Sequence, residues 1–153
     1  MATSALPAVL DALVSALRAS PALAAVTVYD GPAPTSATDL DMIVIGDDDD
    51  QEAGSPAGLT EQSWNGLGAK RRDESIEIRC AAVSWSGDVE IKPLRDRVFA
   101  LTAAVETVLR AGPSLSGACQ WSEFARVDEL RQEQTDRGAV VSALFTVSAR
   151  ARI

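Results

Sequence analysis

Histidine is absent from the chain. That gap removes the Ser-His-Asp triad, the Cys-His pair, imidazole acid–base work and most zinc sites at once. Cysteine is scarce: Cys80 and Cys119 are the two, and neither belongs to a C-x-x-C motif, so a metal or redox pair has no footing. In a reducing compartment they read as two small buried hydrophobes inside strand-like segments. No apolar run approaches the ~20 residues of a membrane-spanning helix. The first twenty residues lack a basic n-region, and Asp11 interrupts their apolar stretch, so an export signal is not expected and a cytoplasmic protein is. Bases are also short, 14 Lys and Arg against 22 acids, for a net charge of −8. Such a chain is poorly suited to gripping nucleic acid, which needs cations against phosphate.

The charge is unevenly placed. Residues 1–66 hold ten acids against Arg18, net −9, while the remainder holds twelve acids and thirteen bases, net +1. Such asymmetry can guide assembly with a partner or keep passing DNA from sticking. The 153 residues are enough for one domain with its own core.

The strongest periodic signal lies between Ile91 and Gly117. Leu94, Val98, Leu101, Val105 and Val108 share a helical face, and Arg95, Thr102, Glu106 and Arg110 occupy the opposite one. Pro93 suits the first turn, and Gly112-Pro113 stops the helix. A first helix is expected over Leu6 to Ala19. Strands are expected at Val26 to Tyr29, Met42 to Ile45, Leu59 to Leu67 and Ser75 to Trp85, then at Ala118 to Asp128 and from Ala139 to the end. The polar stretch Glu129 to Gly138 reads as a connection. The last segment alternates cleanly, with Ala139, Val141, Ala143, Phe145 and Val147 on one face and Ser142, Thr146, Ser148 and Arg150 on a solvated one. The order α-β-β-β-β-α-β-β has more strands than crossover helices. It predicts an α+β domain: a mainly antiparallel sheet with two helices packed on one face.

Residues 47–58, DDDDQEAGSPAG, are expected to form a mobile acidic loop, since four successive aspartates repel and the remainder offers no core surface. A calcium-loop reading from Asp50 fails, because position 6 is Ser55 instead of glycine and no helices flank it. Gly66 to Lys70 lacks the phosphate-loop spacing and precedes a strand, so it reads as a hairpin turn. Asp39, Asp41 and Glu61 are available carboxylates, but no spacing argues for catalysis, and no cofactor or metal is expected. The candidate interaction residues are Asp47, Asp48, Asp49, Asp50 and Glu52, on a loop that contacts a partner or lines a channel. A candidate inter-subunit basic patch is formed by Lys70, Arg71 and Arg72. Solvated surface charge is the plainer reading of both.

From Arg95 to Trp121 the chain reads RDRVFALTAAVETVLRAGPSLSGACQW, with Arg97 near the helix start, Leu109 near its end and Pro113 to Gly117 in the turn. From Leu10 to Pro32 an apolar helix leads into Val26-Thr27-Val28-Tyr29-Asp30-Gly31-Pro32. Together with the element order, these stretches resemble the tail-terminator family of long-tailed bacteriophages, in outline over nearly the whole chain. The aspartate run is a departure from that pattern. The resemblance implies a non-enzymatic virion protein, assembled in the bacterial cytoplasm, that forms a ring, usually a hexamer. The ring caps the head-proximal end of the tail tube, stops its polymerisation and offers the docking surface for the head. Its partners would be other copies, the tail tube protein and the head connector, with DNA passing through the lumen and no membrane. A head–tail joining protein of similar fold, or a monomeric cation- or ligand-binding domain, is the alternative.

Overall fold

The computed structural model describes residues 2–47, 56–68 and 70–153. Among them, two α-helices and a six-stranded, mostly antiparallel sheet make an α+β domain. In chain order these are α1 (Leu6–Arg18), a short 3-10 turn (Pro21–Leu23), β1 (Thr27–Asp30), β2 (Asp41–Ile45), β3 (Gly58–Trp64), β4 (Arg72–Trp85), α2 (Lys92–Ala111), β5 (Trp121–Thr135) and β6 (Gly138–Arg152). The sheet order is β1-β2-β4-β6-β5, with β3 also on β4; β1 and β2 are parallel and every other pair is antiparallel.

One apolar cluster joins Val9, Leu13 and Leu17 of α1 to Leu94, Val98, Val105 and Leu109 of α2. It also takes in Ile43, Ile76, Ile78, Phe145 and Val147 from alternate strand positions. Those strand positions define the core face of the sheet. The buried helical stripe departs from expectation at two positions: Leu109 takes the place of Val108, and Thr102 is buried. A 3.6-residue turn drifts off a strict four–three spacing by the fifth turn, which favours Leu109. Thr102 tolerates burial because its hydroxyl donates to the Phe99 carbonyl at 2.9 Å.

Three further expectations are corrected. Glu129 to Gly138 is no connection: β5 continues to Thr135, and a tight turn at Asp136-Arg137 leads into β6. Gly138 closes that turn with φ 119°, and a Cβ there would sit 2.0 Å from the Ser86 carbonyl oxygen, so no larger residue fits. Cys119 lies in the turn before β5, outside any strand, although it is buried and free like Cys80. The opposite face of β6 is not solvated along its length. Ser142, Leu144 and Thr146 are buried, and Leu144 packs with Val44, Ala81 and Val83 in a second, smaller cluster.

The turn after α2 carries unusual backbone. Leu115 (φ 49°) and Ser116 (φ 58°) are left-handed without being glycine, followed by Gly117 at 89°. Burial of the Leu115 side chain holds the turn from inside, and Ser122 Oγ, donating to the Pro113 carbonyl at 2.8 Å, holds it to β5.

Candidate assembly surface

A strand has two edges, and β6 occupies one edge of β4 from Asp73 to Trp85. Both β2 and β3 therefore share the other, β2 opposite residues 80–84 and β3 opposite residues 72–78. They form one interrupted line. Arg79 sits at the interruption: its carbonyl accepts from Gly46 N at 2.8 Å, and its N–H donates to the Ala57 carbonyl at 3.1 Å. Gly46 and Ala57, on either side of the acidic stretch, thus meet β4 at a single residue. Asp47 is half-buried at its root; Asp48, Asp49, Asp50 and Glu52 lie outside the described residues.

Beyond that point β3 and β4 form a hairpin about 20 Å long at ~3.3 Å per residue. Lys70 and Arg71 are exposed at its turn. Arg72 is engaged within it: the guanidinium lies 5.3 Å from the Trp64 ring centroid and donates to Gln62 Oε1 at 2.8 Å. Trp64 is 64% exposed and Leu67 fully so. The basic patch therefore comes with two exposed apolar side chains that charge patterning alone did not indicate.

The base of the hairpin is fixed by a residue the sequence reading missed. Glu74 is 1% exposed, and its carboxylate accepts from Ser4 Oγ (2.6 Å), Ala5 N (2.7 Å) and Gln62 Nε2 (2.8 Å). Helix α1 has no side-chain cap of its own at Ala5, so Glu74 supplies one from across the fold. Burial pushes the Glu74 carboxyl up, but these three donors and the nearby Arg72 outweigh it and hold its pKa below the ordinary value. Its position was a legible signal, since an acid at position 74 shares the core-facing parity of Ile76 and Ile78.

At the other end of the sheet β5 has no strand beyond it among the described residues. It is fifteen residues long, exposed over most of its length, and bulged between Phe124 and Arg126 and again between Val127 and Glu129. Phe124 anchors it, stacked on Phe145 with centroids 5.2 Å apart. Val127 and Leu130 pair with the core-facing Phe145 and Ala143, so they share the α2 side, yet they are 37% and 38% exposed. Arg95 of α2 donates to Gln132 Oε1 at 2.8 Å. At the other end of the helix, Glu106 and Arg110 line a cleft with Phe124 and Trp121. Between those two fixed points α2 presents Phe99, 42% exposed. An apolar seam thus runs between α2 and the edge strand.

The face of the sheet opposite the core carries paired charge. Arg126 bonds Asp128 at 2.7 Å and Glu77 at 3.3 Å, Arg131 bonds Glu129 at 3.0 Å, and Thr146 Oγ1 donates to Asp128 at 2.5 Å. With Arg79 these side chains line a groove of about 380 Å³. Of the carboxylates weighed for catalysis, Asp39 and Asp41 are absorbed by structure, and Glu61 is exposed on β3. Asp39 accepts from Thr27 at 2.6 Å and from the Tyr29 hydroxyl; the donors hold its pKa down, while Asp39 raises that of Tyr29. Burial raises the Asp41 carboxyl, but Arg97 at 2.7 Å and Ser84 at 2.6 Å together bring it below the usual range. Burial pushes the Cys80 thiol up to about 12, far from a thiolate at neutral pH. Among the described residues no three His, Cys, Asp or Glu side chains are grouped to hold a metal, and no helix is long and apolar enough to cross a membrane.

The arrangement defines an α+β domain with one long open sheet edge, an exposed basic–apolar hairpin and a charged, groove-bearing face. No protein-family model matches the chain, and no curated protein matches it.

Proposed function

We propose that this chain is a structural virion protein of the tail-terminator kind. Copies associate into a ring, hexameric in the resemblance, that caps the head-proximal end of a phage tail tube, stops its growth and offers the surface on which the head docks. We read the two helices as covering one face of the sheet, which leaves the edges and the other face for assembly. The observation that carries the reading is β5, a fifteen-residue edge strand with an apolar seam beside it; Asp39, Asp41 and Glu74 are held in structural contacts, and Cys80 and Cys119 are buried. The net charge of −8 suits a ring through which DNA slides without being gripped. Assembly takes place in the bacterial cytoplasm, and the partners are other copies, the tube protein and the head connector.

The test is solution mass by light scattering across protein concentration, with and without the tube protein of the same phage, beside tube lengths by electron microscopy. A ring-sized species, formed alone or on tube ends, together with shortened or capped tubes, is expected. A chain that stays monomeric and leaves tube length unchanged overturns the proposal.

A further inference from the structure

The basic hairpin and the acidic root at Asp47 lie on the same edge of β4. Pairing one with the other across two copies sets like edge against like edge. That is a two-fold arrangement, which closes at a dimer. A ring needs a heterologous contact, in which one edge meets a different one. The sheet supplies both: β3 and its hairpin on the β2 side, β5 at the opposite end.

We infer that the β3–β4 hairpin of one copy docks on the seam between α2 and β5 of the next copy, head to tail. The inference rests on the ring reading and assigns its interface. Three features agree. The first is charge. Residues 65–72 hold Lys70, Arg71 and Arg72 and no acid. Strand β5 holds Glu123, Asp128, Glu129 and Glu133 against Arg126 and Arg131, four carboxylates to two guanidiniums, net −2. The four acids lie on the face away from α2, with Asp128 and Glu129 paired to Arg126 and Arg131, so the edge strand carries a net charge opposite to the hairpin's, whereas hairpin on hairpin repels. The second is apolar surface. Trp64 and Leu67 project from the hairpin, and Phe99, Val127 and Leu130 wait on the seam. Exposed aromatic side chains beside an arginine are the residues that most often anchor an interface. The third is handedness of the faces. Trp64 has the parity of Gln62, which bonds the core-facing Glu74, so it lies toward the core face of β3. Val127 and Leu130 lie toward the same face of β5. If β3 of one copy continues the sheet beyond β5 of the next, these side chains arrive on the same side.

The bulges and charges of β5 fit this selectivity. The bulges twist the edge away from a flat strand, and a neutral strand would desolvate the charges without pairing them, which keeps free copies from stacking indiscriminately. A cationic hairpin is the partner they discourage least.

A head-to-tail contact has a property that a two-fold contact lacks: two differently damaged copies can complement each other. One variant carries Trp64→Ser, Leu67→Ser and Arg71→Glu; the other carries Val127→Ser and Leu130→Glu. All five positions are at least 37% exposed or lie on the exposed hairpin, and circular dichroism with thermal melting checks that both variants fold. Each alone is expected to be monomeric, with association weakened roughly tenfold or more. Mixed in equal amounts, they are expected to form a one-to-one dimer and nothing larger, since each retains one intact surface. In parallel, the Leu67→Cys, Leu130→Cys variant should oxidise to crosslinked multimers, while each single replacement should not. If the wild-type protein forms rings but the mixture stays monomeric and the double-cysteine variant does not crosslink, this interface is wrong and the ring reading stands. If either single-surface variant still forms rings, the interface is also wrong. If the wild-type protein never associates, alone or with tube protein, both fall together.

Discussion

The sheet ends differently on its two sides. At one end β1 spans four residues, and Arg18 reaches back from α1 to cover its outward carbonyl, with Nη2 donating to Val28 O at 2.8 Å and Nε at 3.1 Å. At the other end β5 runs fifteen residues with no strand beyond it among the described residues, bulged twice and carrying six charged side chains. A short strand whose carbonyl is already bonded offers a second chain little to pair with. A long one kept soluble by charge and bulges remains available to a partner that matches them. On the proposed ring reading, the comparison makes β5 the edge expected to associate and β1 the edge expected not to.

The largest expected effect comes from cutting β5 loose. Phe145 is fully buried and stacks on Phe124, the deepest anchor of the edge strand. Phe145→Ala should destabilise the domain by about 3–5 kcal/mol in chemical denaturation. Amides of β5 should exchange faster than those of β1, so an equal loss at both ends would break the comparison. Next is Glu74→Ala, which leaves the Ala5 N–H and the Ser4 hydroxyl without their acceptor and should cost about 1–3 kcal/mol. The folded pKa of Glu74 lies below its ordinary 4.5. Its stabilisation is therefore complete above that value and is lost as pH falls through the lower folded value. Denaturation curves between neutral and acid pH should converge for the wild type and Glu74→Ala at the acid end. Arg18→Ala should cost about 0.5–1.5 kcal/mol, the worth of an ordinary hydrogen bond, and should expose the β1 edge. Light scattering of that variant should show new, concentration-dependent association if the guanidinium is what closes the edge. The smallest effect is expected for Arg126→Ala, which breaks partly exposed ion pairs to Glu77 and Asp128. It should change stability by less than about 1 kcal/mol and less still at high salt.

The sequence was most informative where one side of an element meets the core. The stripe of α2 and the alternation of β6 could be read directly because burial imposes a period on residue type. Strand β5 from Glu129 to Thr135 could not, since it is exposed on both faces and nothing selects apolar residues there. Its extension is set by β6, which pairs with it residue by residue as far as Thr135 opposite Gly138. Thr102 was misplaced for a related reason: a hydroxyl that bonds its own helix can be buried without an apolar signature. Of the candidate site, the basic patch was visible as charge, but Trp64 and Leu67 gained meaning only when the hairpin placed them beside Arg71 and Arg72. The seam needed the fold, because Phe99 is remote in sequence from Val127 and Leu130, and only the packing of α2 and the pairing of β5 with β6 put all three on the helix side of the sheet. The cap that Glu74 provides joins residues seventy apart in the chain, and no local pattern encodes that.

The claim that association belongs to the open edge is tested most directly by amide hydrogen exchange at low and high protein concentration. Protection is expected to rise with concentration in β5 and in the hairpin around Trp64 to Arg72, and to stay unchanged in β1. Concentration-dependent protection in β1, or none anywhere while the solution mass rises, would contradict it.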